Sequence, residues 1–356
     1  MKHCRYLNLI IFFCLFFFGI LPIRTVADDG ADFTIIPIFN ENQTDDSLGY
    51  FSIKYEKDYP IKIKIKNLNT KESSKFEVML INATTTNTGQ IDYTPSNQKV
   101  ANKDALSITD FIPKDKEKQI IEVEANSEKE ISIDLKKPVE QFEGVVLGSV
   151  YVKKIDTKDS NKSGITNTFA MSIPIIISQN FDKKIMPELS LSNIKMLLDM
   201  GKPIVSGEIY NTSPVMFGEI NIDSWITKKN EDKKLYERKE TNYEMAPNSI
   251  MNYSISLNND MLSPGIYTYH ILLKSGDKKF DLSKDFNISS QEVKKNSSSL
   301  SKLEDKKVSI WWVIIIIVGG IILGVAIVYY ILRLNNVIPP LYNKNISKKK
   351  KIKNKK

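Results

Sequence analysis

Alternation with a period of two dominates the middle of the chain. Ile61, Ile63 and Ile65 are separated by Lys62, Lys64 and Lys66, the pattern of a strand with one buried and one wetted face. Phe76, Val78 and Leu80 repeat it, as do Ile131, Ile133 and Leu135. Further strands are predicted at 145–152, 169–177, 220–226, 251–257 and 266–273, with the turn formers NTG, NSE, SPG and SGD spread among the strands. Short strands at regular spacing predict an all-β protein of two tandem immunoglobulin-like β-sandwich domains. The one helical pattern, NIKMLLDMG at 193–201, is too short to change that class.

Both ends of the chain depart from this pattern. Val308 to Leu332 runs 25 residues without a charge. A helix of roughly 20 such residues already crosses a bilayer core. Trp311 and Trp312 near one end and Tyr329 and Tyr330 near the other sit where amphipathic rings meet the headgroups. Arg333 and a terminus with seven lysines in 348–356 follow, so the positive-inside rule predicts a cytoplasmic C-terminus. That basic tail also suits anionic lipid. At the start, Lys2 and Arg5, an apolar run, and then Thr25 and Ala27 predict a secretory signal peptide cut after Ala27.

The expected organisation is therefore a signal peptide (1–27), an extracellular portion (28–307), one membrane helix (308–332) and a basic cytoplasmic tail (333–356). Inside the extracellular portion, apolar strands of matching length flank the polar loop DTKDSNKSG (156–164). We read it as a hairpin loop, which places the first sandwich at 28–179, a linker at 180–187 and the second sandwich at 188–290. The polar, Ser- and Lys-rich segment 291–307 reads as a flexible stalk.

This division changes the meaning of the charge. The whole chain carries +8. Removing the three basic residues of 1–27 and the nine of 333–356 leaves 38 basic residues against 42 acidic ones, near −4. That excludes a nucleic-acid face, which needs clustered Lys and Arg on a folded surface. Both cysteines, Cys4 and Cys14, fall in the signal peptide, and His270 is the only histidine beyond it. Disulfides, thiol nucleophiles and zinc–thiolate sites are thereby excluded from the exported portion. No G-x-S-x-G elbow or phosphate-binding loop occurs. DSNKSG (159–164) begins like a calcium loop, but its twelfth position is Ala170 where a bidentate glutamate is required. No cofactor and no metal is expected.

Candidate binding residues are fewer. FEGVVLGSV (142–150) places Gly144 and Gly148 inside a strand pattern, which marks a bulge or the close approach of a backbone or ligand. NATTTNTGQIDYT (82–94) is a polar loop whose hydroxyls, Asn87 and Tyr93 suit saccharide hydrogen bonding with one ring to stack, although plain hairpin loops share that composition. Asn42 and Gln43 in NENQTDD have the same ambiguity. Trp225 shares strand parity with Asn221 and Asp223, opposite to Ile220, Ile222 and Ile226. A regular strand turns it to solvent as a binding anchor, and a bulge turns it inward. Tyr267 in LSPGIY reads as a tyrosine corner, and MAPNS (245–249) as a turn before a strand. Gly320 and Gly324 form a G-x-x-x-G pair in the membrane helix, a pattern common by chance.

FTIIPIFNENQ (33–43), YFSI (50–53), NATTTNTGQIDYT, SITDFI (107–112), FEGVVLGSV, MAPNS, LSPGIY (262–267) and FNI (286–288), taken in order, resemble the WxL-interacting proteins of Gram-positive cell surfaces. The family tends to an acidic residue where YFSI has Ser52. The resemblance implies a peptidoglycan-binding first domain and a host-binding second domain on a membrane helix with a basic tail. It further implies a non-enzymatic surface anchor or adhesin whose partners are peptidoglycan, WxL-domain surface proteins and host matrix proteins. The alternative is a wall-glycan hydrolase using two carboxylates, since carboxylate spacing is a property of the fold.

Overall fold

The structure is a computed structural model that describes residues 31–41, 43, 46–56, 58–136, 141–155, 168–304 and 310–334. The signal peptide, Asn42, the loop 156–164 with its calcium-like start, and the tail beyond Leu334 lie outside the described residues.

Ten strands form the first half: β1 (Phe33–Ile38), β2 (Phe51–Lys54), β3 (Tyr59–Asn67), β4 (Ser74–Asn82), β5 (Thr84–Thr85), β6 (Ile91–Asp92), β7 (Lys118–Val123), β8 (Glu128–Leu135), β9 (Val146–Ile155) and β10 (Ala170–Ser178). One sheet has the order β1-β3-β8 and the facing sheet the order β2-β10-β9-β4-β7. The alternation in β3 does what the pattern demands. Its isoleucines are fully buried, while Lys62 and Lys64 reach across to Glu130 and Glu128 of β8 at 3.7 and 2.9 Å. Such surface pairs add only tenths of a kcal/mol, so burial of the isoleucines is the larger effect. The strand predicted at 169–177 is β10. It runs antiparallel to β9 on one side and parallel to β2 on the other.

Seven longer strands build the second half: β11 (Leu189–Asp199), β12 (Lys202–Asn211), β13 (Phe217–Lys228), β14 (Tyr236–Met245), β15 (Ser249–Ser256), β16 (Gly265–Ser275) and β17 (Lys278–Ile288). They pair as β11-β12-β15 and β14-β13-β16-β17, again two sheets over a separate core. The fold is all-β, as expected. The two halves also repeat one device. Asn67 at the end of β3 donates to the carbonyls of Glu72, Val123 and Glu124. Asn211 at the end of β12 donates to those of Val215 and Ala246. Each is fully buried, and each ties down carbonyls that would otherwise be desolvated without a partner. Tyr267 donates its hydroxyl to the Ser263 carbonyl at 2.9 Å, the corner read from LSPGIY.

Two expectations need correcting. Residues 193–199 are part of β11, with no helix. A register shift between Ser192 and Lys195 interrupts the alternation and mimics a helical spacing. Met200 and Gly201, both at positive φ, then close a tight hairpin to β12. The segment read as a flexible stalk begins as a helix, α1 (Ser290–Glu304). Ser289 caps it by accepting from the Glu292 amide at 3.1 Å. The Ser-x-x-Glu spacing that signals such a start was present in the sequence. Val293 packs on the second core, and Asn296 donates to the Met196 carbonyl at 3.3 Å. The apolar C-terminal stretch is the helix α2 (Ile310–Leu334), which is long and apolar enough to cross a membrane.

Candidate functional site

The sequence motifs converge on the joint between the sandwiches. The loop 82–94 folds into the β5–β6 hairpin and reaches the second domain. Thr85, fully buried, shares a hydrogen bond of 2.6 Å with Ser249 and accepts from the Ala246 amide at 3.0 Å. The Gly89 carbonyl accepts from the Glu244 amide at 2.8 Å, and the Glu244 carboxylate accepts from the Ile91 amide at 3.2 Å. Ala83, Leu147 and Ala246 form a small apolar cluster with Ile91, Tyr93 and Ile176 around it.

Here the glycine requirement is steric. Gly89 has φ +69°, and a Cβ there would lie 2.0 Å from the Tyr243 ring. Gly144 has φ +78°, and its Cβ would lie 2.2 Å from the Pro214 carbonyl oxygen. The neighbouring Val145 amide donates to that same carbonyl at 2.8 Å. Gly148 has ordinary φ but abuts Ile81 and Ile108 of its own domain, at 2.5 Å and 2.7 Å from a built Cβ. The close approach at both sequence-predicted glycines is therefore by protein. Tyr93 also faces the joint. Its carbonyl accepts from Ser172 at 2.8 Å, and burial, with the Glu244 carboxylate adding, pushes its hydroxyl up to about 12. Asn87 sits exposed at the hairpin tip. Gln43 is a local staple, donating to the Tyr50 carbonyl at 2.8 Å and accepting from the Ser52 amide at 2.9 Å.

Beside these contacts the domains leave a cleft of about 560 Å³. Three asparagines line it, beside Gln141, and in each asparagine the side-chain oxygen is taken by a backbone amide. Asn82 accepts from Ile108 at 2.8 Å, Asn102 accepts from Asp104 at 3.0 Å, and Asn248 accepts from Asn102. Asn248 is held in the left-handed region at φ +48°, its amide on the Ser213 carbonyl and its carbonyl receiving the Ala101 amide. Sequence reading took MAPNS only as a turn and missed Asn102 altogether. The signal for Asn248 was the Pro-Asn pair, which fits a residue at positive φ but does not name its partner.

Trp225 lies elsewhere, on the outer face of the β14-β13-β16-β17 sheet. Ile220, Ile222, Ser224 and Ile226 are buried beneath, so the parity is that of a strand turning Trp225 outward. The half-buried indole stacks on His270 with centroids 5.1 Å apart and 7° between planes. Lys234 sits 4.4 Å from its centroid, and Thr227 hydrogen-bonds His270 Nε2 at 3.1 Å. Burial holds the His270 ring below its ordinary value, aided by Lys234 and opposed by Asp281 and Asp285. Among the described residues no group of three or more His, Cys, Asp or Glu is arranged to hold a metal.

Comparison with known proteins gives two family matches. Residues 33–154 match the peptidoglycan binding domain of the WxL interacting protein, and residues 160–298 match its host binding domain. A search of curated proteins finds no match. Among solved structures, the CupB2 chaperone of Pseudomonas aeruginosa aligns at 8% identity over 66% of this chain and 94% of that one, with a TM-score of 0.25. The CsuC–CsuE chaperone–tip adhesion subunit complex of Acinetobacter baumannii aligns at 13% over 73% and 99%, with a TM-score of 0.30. At such scores nothing about this chain follows from them.

Proposed function

The chain belongs to the WxL-interacting protein family, and we propose that it is a non-catalytic surface anchor that holds peptidoglycan with its first sandwich and protein partners with its second. The observation that carries this reading is that β1 to β9, but for Ile155, lie within the match to the family's peptidoglycan binding domain, and that the whole second sandwich, together with β10, lies within the match to its host binding domain. On this reading α2 fixes the protein in the cell membrane, the sandwiches stand outside within the wall, and the basic tail lies in the cytoplasm. The protein partners are WxL-domain surface proteins and host matrix proteins. They dock on the Trp225 face, where His270 and Lys234 hold the indole in one orientation before binding. Ordering the anchor in advance lowers the entropic cost of association.

The test is a pull-down with Asp28–Lys307. Purified sacculi and a purified WxL-domain protein should each retain it, and a zymogram on wall material should show no cleared zone. Clearing would replace the anchor by the hydrolase reading, and retention by neither bait would remove the binding role.

A further inference from the structure

The cleft between the sandwiches has a chemistry of its own. The oxygens of Asn82, Asn102 and Asn248 are each bound by a backbone amide, which fixes the orientation of each carboxamide. Their NH₂ groups have no acceptor among the described residues. The lining also carries the carboxylates of Asp104 and Glu143, the second already paired with Lys183 outside the cleft, and the lining itself includes no Lys, Arg or His. Leu106, Phe142 and Pro214 add apolar surface. Amide donors beside carboxylate acceptors match a ligand with both acceptor oxygens and hydroxyl donors. The missing bases disfavour an anion, because nothing in the lining compensates its desolvated charge. The apolar patches suit the carbon face of a sugar ring or an acetyl methyl. The cleft volume of about 560 Å³ is in the range of small-ligand sites, roughly 300–1,000 Å³.

We propose that this cleft is a composite site for a neutral, N-acetylated glycan strand, completed by the second domain through Asn248 and Pro214. The proposal rests on the peptidoglycan-holding role argued above, and it locates that role at the joint. Uncharged sugar rings are favoured over the peptide stems, whose carboxylates would face Asp104. The walls come from both sandwiches, so the second domain takes part in glycan binding.

The experiment uses the full chain in detergent micelles, purified sacculi, the tetramer of β-1,4-linked N-acetylglucosamine, and a free Ala-Glu-Lys-Ala-Ala stem peptide. Asn102→Asp and Asn248→Asp each keep the oxygen that the backbone binds and replace the donor with a second acceptor. The expected result is that the tetramer competes with sacculi, and that each variant binds both about tenfold more weakly, with an unchanged melting temperature. Sacculus binding that neither substitution alters would overturn the cleft site and leave the anchor reading intact. Competition by the stem peptide and not by the tetramer would also overturn it. Failure of the parent chain to bind sacculi at all would overturn both.

Discussion

The joint and the Trp225 face put binding chemistry on this molecule by opposite means. At the joint, almost every distinctive residue is spent on holding protein to protein. Gly89 and Gly144 admit Tyr243 and Pro214, and Thr85 bonds Ser249 across the domains. What remains for a ligand is the nitrogen ends of three asparagines, the Asp104 carboxylate and some apolar surface. On the outer sheet β13 shifts register against β14 only before Ile222, the pairing around Trp225 is continuous, and one indole is displayed between His270 and Lys234. A substitution at the joint should therefore change how the domains sit together. A substitution at Trp225 should change only what binds.

Truncating the first sandwich should damage the joint most. Ending the ectodomain at Tyr151 deletes β10, which separates β9 from β2 and supplies Ile176 to the apolar cluster at the joint. The exposed edge of β9 should make that product aggregate, while 28–179 folds cooperatively. A monomeric, sharply melting 28–155 fragment would show that the first sandwich ends before β10. Next, Trp225→Ala should weaken binding to a purified WxL-domain protein by roughly 30-fold, about 2 kcal/mol, with little change in melting temperature. A large fall in melting temperature would mean that the indole is core packing, and the contrast between the two regions would fail there.

How much of this was legible in the sequence depended on the range of the interaction. The strands were legible because each carries its own wetted and buried faces, as in Ile61–Lys66. The glycines were legible as points of close approach, but Gly144 meets Pro214, seventy residues downstream, and no local pattern names that partner. Asn102 and Asn248 are 146 residues apart and are joined by a hydrogen bond that only the fold creates. β11 was misread because a bulge shifts its parity. Parity left Trp225 outward on a regular strand or inward at a bulge, and both that choice and its stack on His270 needed the pairing of β13 with β16.

Thr85→Val removes a hydroxyl that serves both Ser249 and the Ala246 amide. Ser249 keeps its bond to the Ala246 carbonyl, but leaving the Ala246 amide unpaired in a buried site should cost about 1–3 kcal/mol, read as a lower denaturation midpoint of the intact ectodomain. The same substitution should leave WxL-domain protein binding within about twofold, since it lies away from the Trp225 face. Acid titration should give the smallest effect. Burial favours the neutral His270 ring, so its contribution to stability is present above 6.5 and is lost as pH falls through the depressed folded value. His270→Gln should flatten that acid limb in the second domain. An unchanged limb would assign it to other groups.

If the motif residues join the two sandwiches into one unit, residual dipolar couplings of the isotope-labelled ectodomain will report it. Couplings from 33–178 and from 189–288 should fit a single alignment tensor in the parent protein. They should separate into two tensors in Gly144→Val, where φ +78° and the Pro214 carbonyl leave no room for a side chain. Two independent tensors in the parent protein would mean that the domains swing freely, that the motif residues do not join them, and that the cleft between them has no fixed walls.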